Sequence, residues 1–129
     1  MSLAFNVISK VNPLSPQEGD CRYYAVLRSF GLVDAKEVGR QLSRVTDLTS
    51  WEAEFVVHQL GEVLVQNLLR GHTVKLADMG SFSLTINSVG CQSPEEVTAD
   101  CIKNVKINFR PTETTKQLLN CAVFCSCAD

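Results

Sequence analysis

The run Leu68-Leu69-Arg70-Gly71-His72-Thr73-Val74-Lys75-Leu76-Ala77-Asp78-Met79-Gly80-Ser81-Phe82 constrains this chain more than any other stretch. Apolar residues at helical spacing stop at Gly71, a natural C-cap, because glycine enters the left-handed region without a Cβ penalty. Thr73 to Leu76 and Ser81 to Ile86 then follow as two strands. They join through Asp78-Met79-Gly80, with Gly80 expected to supply the backbone freedom of the turn. A helix therefore runs straight into an antiparallel strand pair.

Upstream, Asp34-Ala35-Lys36-Glu37 and Thr49-Ser50-Trp51-Glu52 both have capping-box spacing. They predict a helix over 34–46, weakened inside by Gly39, and a longer one from 49 to 70. On the longer helix Phe55, Val56, Leu60, Val63, Leu64 and Leu68 form one stripe, widened by Ala53, Val57 and Val65. A stripe that wide calls for two partners, such as a neighbouring helix and another subunit. Trp51 is expected as a packing anchor. Residues 3–12 and 22–29 read as two strands around a Pro/Gly-rich loop at 12–20, an N-terminal hairpin that must pack on something. Tyr23 and Tyr24 point to opposite faces there, so only one can be buried. Ser93 as N-cap and Pro94 at the first helical position predict a helical turn over 94–101. Val105 to Phe109 reads as a returning strand with Lys106, Asn108 and Arg110 on one face. A short helix follows over 112–120.

With 129 residues, 45% hydrophobic and 20% charged, the chain fits one compact domain, or one domain with an extension. No apolar run approaches the ~20 residues that cross a bilayer, and the N-terminus lacks the pattern of a secretory signal, so a cytosolic protein is expected. Net charge of −2 and a pI near 5.7 argue against a basic surface overall, though not against a locally basic face. Six cysteines occur, but Cys121-x3-Cys125-x-Cys127 lacks the paired spacing and histidines of zinc sites. Free thiols on a frayed C-terminal tail are the expectation, with no metal and no cofactor. Glu54 and His58 share a helix face as a surface pair. Phosphate-loop, G-x-S-x-G and HExxH signatures are absent, so no enzyme is expected.

The order helix, helix, strand, strand, arm, strand, helix over about 34–120 resembles the HU/IHF family of bacterial histone-like DNA-binding proteins. Lys36-Glu37-Val38 through Asp47-Leu48-Thr49 is similar to the family's first helix and following turn. Leu69-Arg70-Gly71-His72-Thr73-Val74-Lys75-Leu76 resembles L-x-x-G-x-x-V-x-L, and Gly80 and Phe82 match the G-F-G-x-F turn, from which Asp78 and Met79 depart. Phe109-Arg110-Pro111 resembles the F-K-P that ends the last strand. The added N-terminal strand pair is similar to an HU-related bacterial subgroup.

This resemblance implies an α+β, IHF-like DNA-binding fold: a helical base, a β-saddle with an arm, and a short C-terminal helix. It divides the chain into an N-terminal β-hairpin extension (1–33), an HU/IHF-like domain (34–120) with a modified arm at 87–104, and a C-terminal tail (121–129). It implies a homodimer in the bacterial cytoplasm, at the nucleoid, binding double-stranded DNA without sequence preference. Lys75, Lys103, Lys106, Arg110 and Lys116 are then the candidate DNA-binding residues. Phe55, Leu60, Val63, Leu64, Leu68, Phe82 and Phe109 are the candidate dimer core. The family arm is basic, with a proline wedge at its tip. Here residues 83–105 carry Glu95, Glu96 and Asp100 against Lys103 alone, so the wedge role does not carry over to Pro94. Glu113 stands where the family often has a second lysine. An alternative of another class follows from the acidic arm: a dimeric interaction module that has lost DNA binding and takes a protein partner at the arm or N-terminal hairpin.

Overall fold

The computed structural model describes residues 2–11 and 21–126 of a mixed α+β protein. Along the chain run β1 (Ser2–Val11), β2 (Cys21–Leu27), α1 (Ala35–Ser43), α2 (Ser50–Leu69), β3 (Val74–Leu76), β4 (Gly80–Ser88), β5 (Ile102–Pro111), α3 (Glu113–Asn120) and β6 (Val123–Ser126). Two 3₁₀ turns, Pro94–Glu96 and Ala99–Cys101, lie between β4 and β5. The chain forms two compact units, Met1–Leu32 with Leu118–Asp129, and Val33–Gln117.

In the first unit β1 and β2 pair antiparallel, from Phe5 opposite Leu27 to Val11 opposite Cys21. The expected loop at 12–20 lies outside the described residues, as does Cys127. The C-terminal segment departs from the expected tail. Val123–Ser126 adds to β1 as a parallel strand, from Ser2 opposite Val123 to Phe5 opposite Ser126, giving the order β2-β1-β6. A four-residue strand has too short a pattern to announce itself, and only the free edge of β1 gives it backbone partners. With β1 central, Ala4 becomes buried. Both Tyr23 and Tyr24 stay exposed, and Lys10 Nζ sits 5.9 Å from the Tyr24 ring.

In the second unit the caps form as the spacing predicts. Asp34 accepts the Glu37 N–H at 3.0 Å, and Thr49 and Glu52 form a reciprocal capping box. Gly71, at φ 88°, closes α2, donating to Leu68 O at 3.0 Å. Gly39 is not a weak point. A Cβ there would lie 2.7 Å from Glu54 N, so its absence lets α1 cross α2 at backbone contact, beside the fully buried Ala53. Trp51 is no anchor either, being 71% exposed in the first turn of α2.

The hairpin turn also differs from expectation. The residue at positive φ is Ala77, at 48°, not Gly80. Gly80 instead makes room for a neighbour, since a Cβ on it would lie 2.6 Å from the Phe109 ring and from Arg110 O. Phe109 in turn packs on Phe82, ring centroids 4.9 Å apart. Ser93 forms no side-chain cap, and the helical turn expected at 94–101 resolves into two separate 3₁₀ turns.

These contacts separate packing from propensity. Gly39→Ala should lower stability by about 1–3 kcal/mol through overpacking, although alanine is the better helix former by about 1 kcal/mol. Gly80→Ala should do the same, whereas Ala77→Gly should leave stability unchanged or raised, because it relieves a left-handed alanine. Urea unfolding of the three variants checks this, and a stabilised Gly39→Ala would contradict the close helix crossing.

Candidate functional site

The second sheet, ordered β3-β4-β5, sorts its side chains by register. Lys75 opposes Ser81 and Ser81 opposes Arg110. Ser83 opposes Asn108, Thr85 opposes Lys106 and Asn87 opposes Asn104. Directly paired residues share a face. One face of the sheet therefore carries Lys75, Lys106 and Arg110 among serine, threonine and asparagine, with no carboxylate at any paired position. Asn108 Nδ2 donates to Thr85 Oγ1 at 2.9 Å, linking neighbours on that face. Polar groups that neither repel an anion nor compete for the cations surround the three charges.

The opposite face holds Val74, Phe82 and Phe109, then Leu84 with Ile107 and Ile86 with Val105. Phe82 and Leu84 are half-buried, but Phe109, Ile107, Val105 and Ile86 are exposed. On α2, Leu68 is fully buried within the protomer and so offers no surface to a partner. Leu64 is half-buried, while Phe55, Leu60 and Val63 are exposed by 61%, 45% and 51%. Among the described residues the only buried apolar side chains are Ala4, Ala53 and Leu68. Much of the apolar surface written into α2 and β5 thus lacks cover within one chain.

Of the five candidate cations, three come together on the polar face. Lys103 is displaced from that series: Asn87 pairs with Asn104 and Ser88 with Ile102, leaving Lys103 as the extra residue of a β-bulge. Lys116 is exposed on α3, next to Thr115. The start of α3 is fastened to the β3–β4 turn. Thr115 Oγ1 donates toward Asp78 O at 3.0 Å and Met79 O at 2.9 Å, and the Thr112 hydroxyl also donates to Asp78 O. Asn108 takes its expected place beside Lys106 and Arg110, whereas Ser81, Ser83, Thr85 and Asn104 carry no such signal in the sequence. Their alternation was visible, but their membership of one face depends on the β4–β5 register.

Beyond Ser88 and Ile102 the strands stop pairing, and residues 89–101 run through the two 3₁₀ turns. Glu95, Glu96 and Asp100 are exposed there. His58 and Glu54 do share a face of α2, with Nε2 3.8 Å from Oε1, and His72 is exposed after Gly71. Among the described residues no group of three or more metal-ligating side chains assembles, and no helix is long and apolar enough to cross a membrane.

A family model described as "HU domain fused to wHTH, Ig, or Glycine-rich motif" matches residues 1–124. The fold is similar to a crystal structure from Bacteroides vulgatus ATCC 8482, described as a "putative bacterial DNA binding protein", with a TM-score of 0.67 and 10% identity. The match covers 98% of this chain and 48% of that one, so the chain spans about half the length of that protein. No curated protein matches the sequence.

Thr115→Val keeps the shape of the side chain but removes the hydroxyl proton shared between the Asp78 and Met79 carbonyls. A loss of about 1–2 kcal/mol is expected, with faster amide exchange in the first turn of α3. Unchanged exchange would mean that other contacts hold that turn in place.

Proposed function

The chain belongs to the HU-HIG family, HU domains fused to wHTH, Ig or glycine-rich motifs, and from that membership we propose that it binds double-stranded DNA as a homodimer, without sequence preference, in the bacterial nucleoid. The observation that carries this reading is the polar sheet face, where Lys75, Lys106 and Arg110 stand clear of any paired carboxylate. Duplex DNA presents one charge per ~1.7 Å, and a face of cations among hydroxyls and amides suits phosphate and sugar contacts that carry no base information. Net charge of −2 leaves room for this, because the acidic residues of the β4–β5 connection lie outside the paired ladder that carries the cations. Arg110 is the strongest contact, since guanidinium forks match phosphate oxygens. Lys116 and Lys103 add charge from α3 and the bulge.

The dimer reading is supported by uncovered apolar surface on both α2 and the sheet. A second copy laid against Phe55, Leu60, Val63 and Phe109 would bury it, while the opposite polar face stays free for DNA. In this arrangement Leu64 and Phe82 deepen the interface and Leu68 serves the protomer's own core.

A second reading rests on the exposed carboxylates Glu95, Glu96 and Asp100 at the turn between β4 and β5. They repel phosphate, and they suit a basic protein partner held on the same dimeric scaffold.

Fluorescence anisotropy with a short duplex, repeated over a range of salt, separates the two. The logarithm of the affinity should fall linearly with the logarithm of the salt concentration, with a slope of about 0.9 per phosphate neutralised. Replacing Lys75, Lys106 and Arg110 together by glutamine should reduce that slope by about 2–3 for each bound protomer. A slope that does not change removes these residues from the interface, and no binding at low salt favours the second reading. Sedimentation should give a dimer, and Leu60→Glu with Val63→Glu should dissociate it, because the charges would be buried without partners.

A further inference from the structure

Two of the chain's six cysteines meet. Cys91 follows β4 and Cys101 lies just before β5, at the two ends of the connection between them. Their sulfurs are 3.5 Å apart. Val89 N donates to Cys101 O at 2.8 Å, which ties the two ends of that connection together by backbone. Both thiols also turn toward one acceptor, Glu96 O, at 3.8 Å from Cys91 and 3.6 Å from Cys101. They are half-buried, whereas Cys21, Cys121 and Cys125 are exposed. A disulfide needs its sulfurs at about 2.05 Å, so about 1.5 Å of approach remains. Side-chain rotation and a small adjustment of an irregular segment supply that.

We infer that Cys91 and Cys101 form an oxidisable dithiol that closes into an intramolecular disulfide, stapling the connection between β4 and β5. The two sulfurs have different roles. A backbone hydrogen bond at Thr98, reinforced by the Cys91 thiol and the Thr98 hydroxyl, pulls the Cys101 thiol below its ordinary pKa. The hydrogen bond to Cys101, together with burial, pushes Cys91 up. The Thr98 hydroxyl, 3.9 Å from the Cys101 sulfur, and the Cys91 thiol, 3.5 Å from it, are both placed to donate to a thiolate there, so Cys101 is the attacking sulfur and Cys91 the resolving thiol. With hydrogen peroxide as oxidant, the Cys101 sulfur attacks one peroxide oxygen and the O–O bond breaks. Cys101 becomes a sulfenic acid, and the departing hydroxide takes up the thiol proton as water. The Cys91 sulfur then attacks the Cys101 sulfur. The S–S bond forms, the S–O bond breaks, and hydroxide leaves with the Cys91 proton as a second water. Two thiols and one peroxide give one disulfide and two waters, and a small dithiol reverses the step. This site stands on its own geometry and does not depend on DNA binding.

Peptide mapping of the full chain after one equivalent of peroxide and alkylation with iodoacetamide tests it. Trypsin leaves both cysteines in one peptide, between Lys75 and Lys103, and a glutamate-specific protease cuts between them at Glu95 and Glu96. The expected result is that the two fragments stay joined until reduced, with alkylation lost at Cys91 and Cys101 but kept at Cys21, Cys121 and Cys125. Fragments that separate with both cysteines alkylated, or cross-links to other cysteines instead, would overturn the pairing. In Cys91→Ser a dimedone adduct should accumulate at Cys101, and in Cys101→Ser none should appear at Cys91. The reverse pattern would overturn the assignment of roles.

Discussion

The antiparallel register between β4 and β5 governs both faces of the second sheet at once. Phe82 opposite Phe109 and Ser81 opposite Arg110 fix the apolar and the basic side together. A slip of one residue would send Phe109 to the polar face and Arg110 to the apolar one. Gly80 guards against it, because only a residue without Cβ leaves room for the Phe109 ring at that place in the ladder. The contacts of Thr112 and Thr115 with Asp78 and Met79 hold the start of α3 to the same turn, so the end of β5 is pinned from two directions. A basic face with no paired carboxylate is thus a consequence of packing on its other side.

The helices show a similar dependence. The crossing of α1 over α2 at Gly39 leaves several residues of the α2 apolar stripe exposed. Ala53 and Leu68 are satisfied within the protomer, and Phe55, Leu60 and Val63 are not. Phe109 on the sheet is exposed as well, and exposed apolar area of this kind is a usual mark of an interface. The proposed homodimer accounts for both exposed faces with one interaction, and it leaves the polar face of the sheet as the part free to meet DNA. Beyond the ladder, the strands do not continue as a basic ribbon. They end in a folded, acidic connection whose two cysteines face each other, so this segment has a chemistry of its own.

Much of the local structure was legible in the residues. Capping boxes at Asp34 and Thr49 marked helix starts, Gly71 marked a helix end, alternation marked β1 and β5, and aromatic and apolar content marked β2. Lys106, Asn108 and Arg110 could be put on one face of a strand because side chains alternate along it. Glycine and tryptophan are poor guides by residue type alone. Gly39 resembled a helix defect and is a contact point, Gly80 resembled a turn residue and is a packing gap, and Trp51 resembled an anchor and is exposed. In each case the outcome depends on which distant atoms lie alongside, and propensity carries no information about those.

Sequence alone therefore determined the order of elements, their caps, and which residues alternate together within a strand, since these follow from backbone sterics and spacing over a few positions. It also supplied the resemblance to an HU-like family, which the family match supports. Tertiary structure alone decided the cross-strand partners that gather Lys75, Lys106 and Arg110 on one face, the addition of β6 to β1, the burial of Leu68, and the meeting of Cys91 with Cys101. All four bring together segments separated in the chain, and such contacts are selected by the packing of the folded protein, not by the local pattern of either segment.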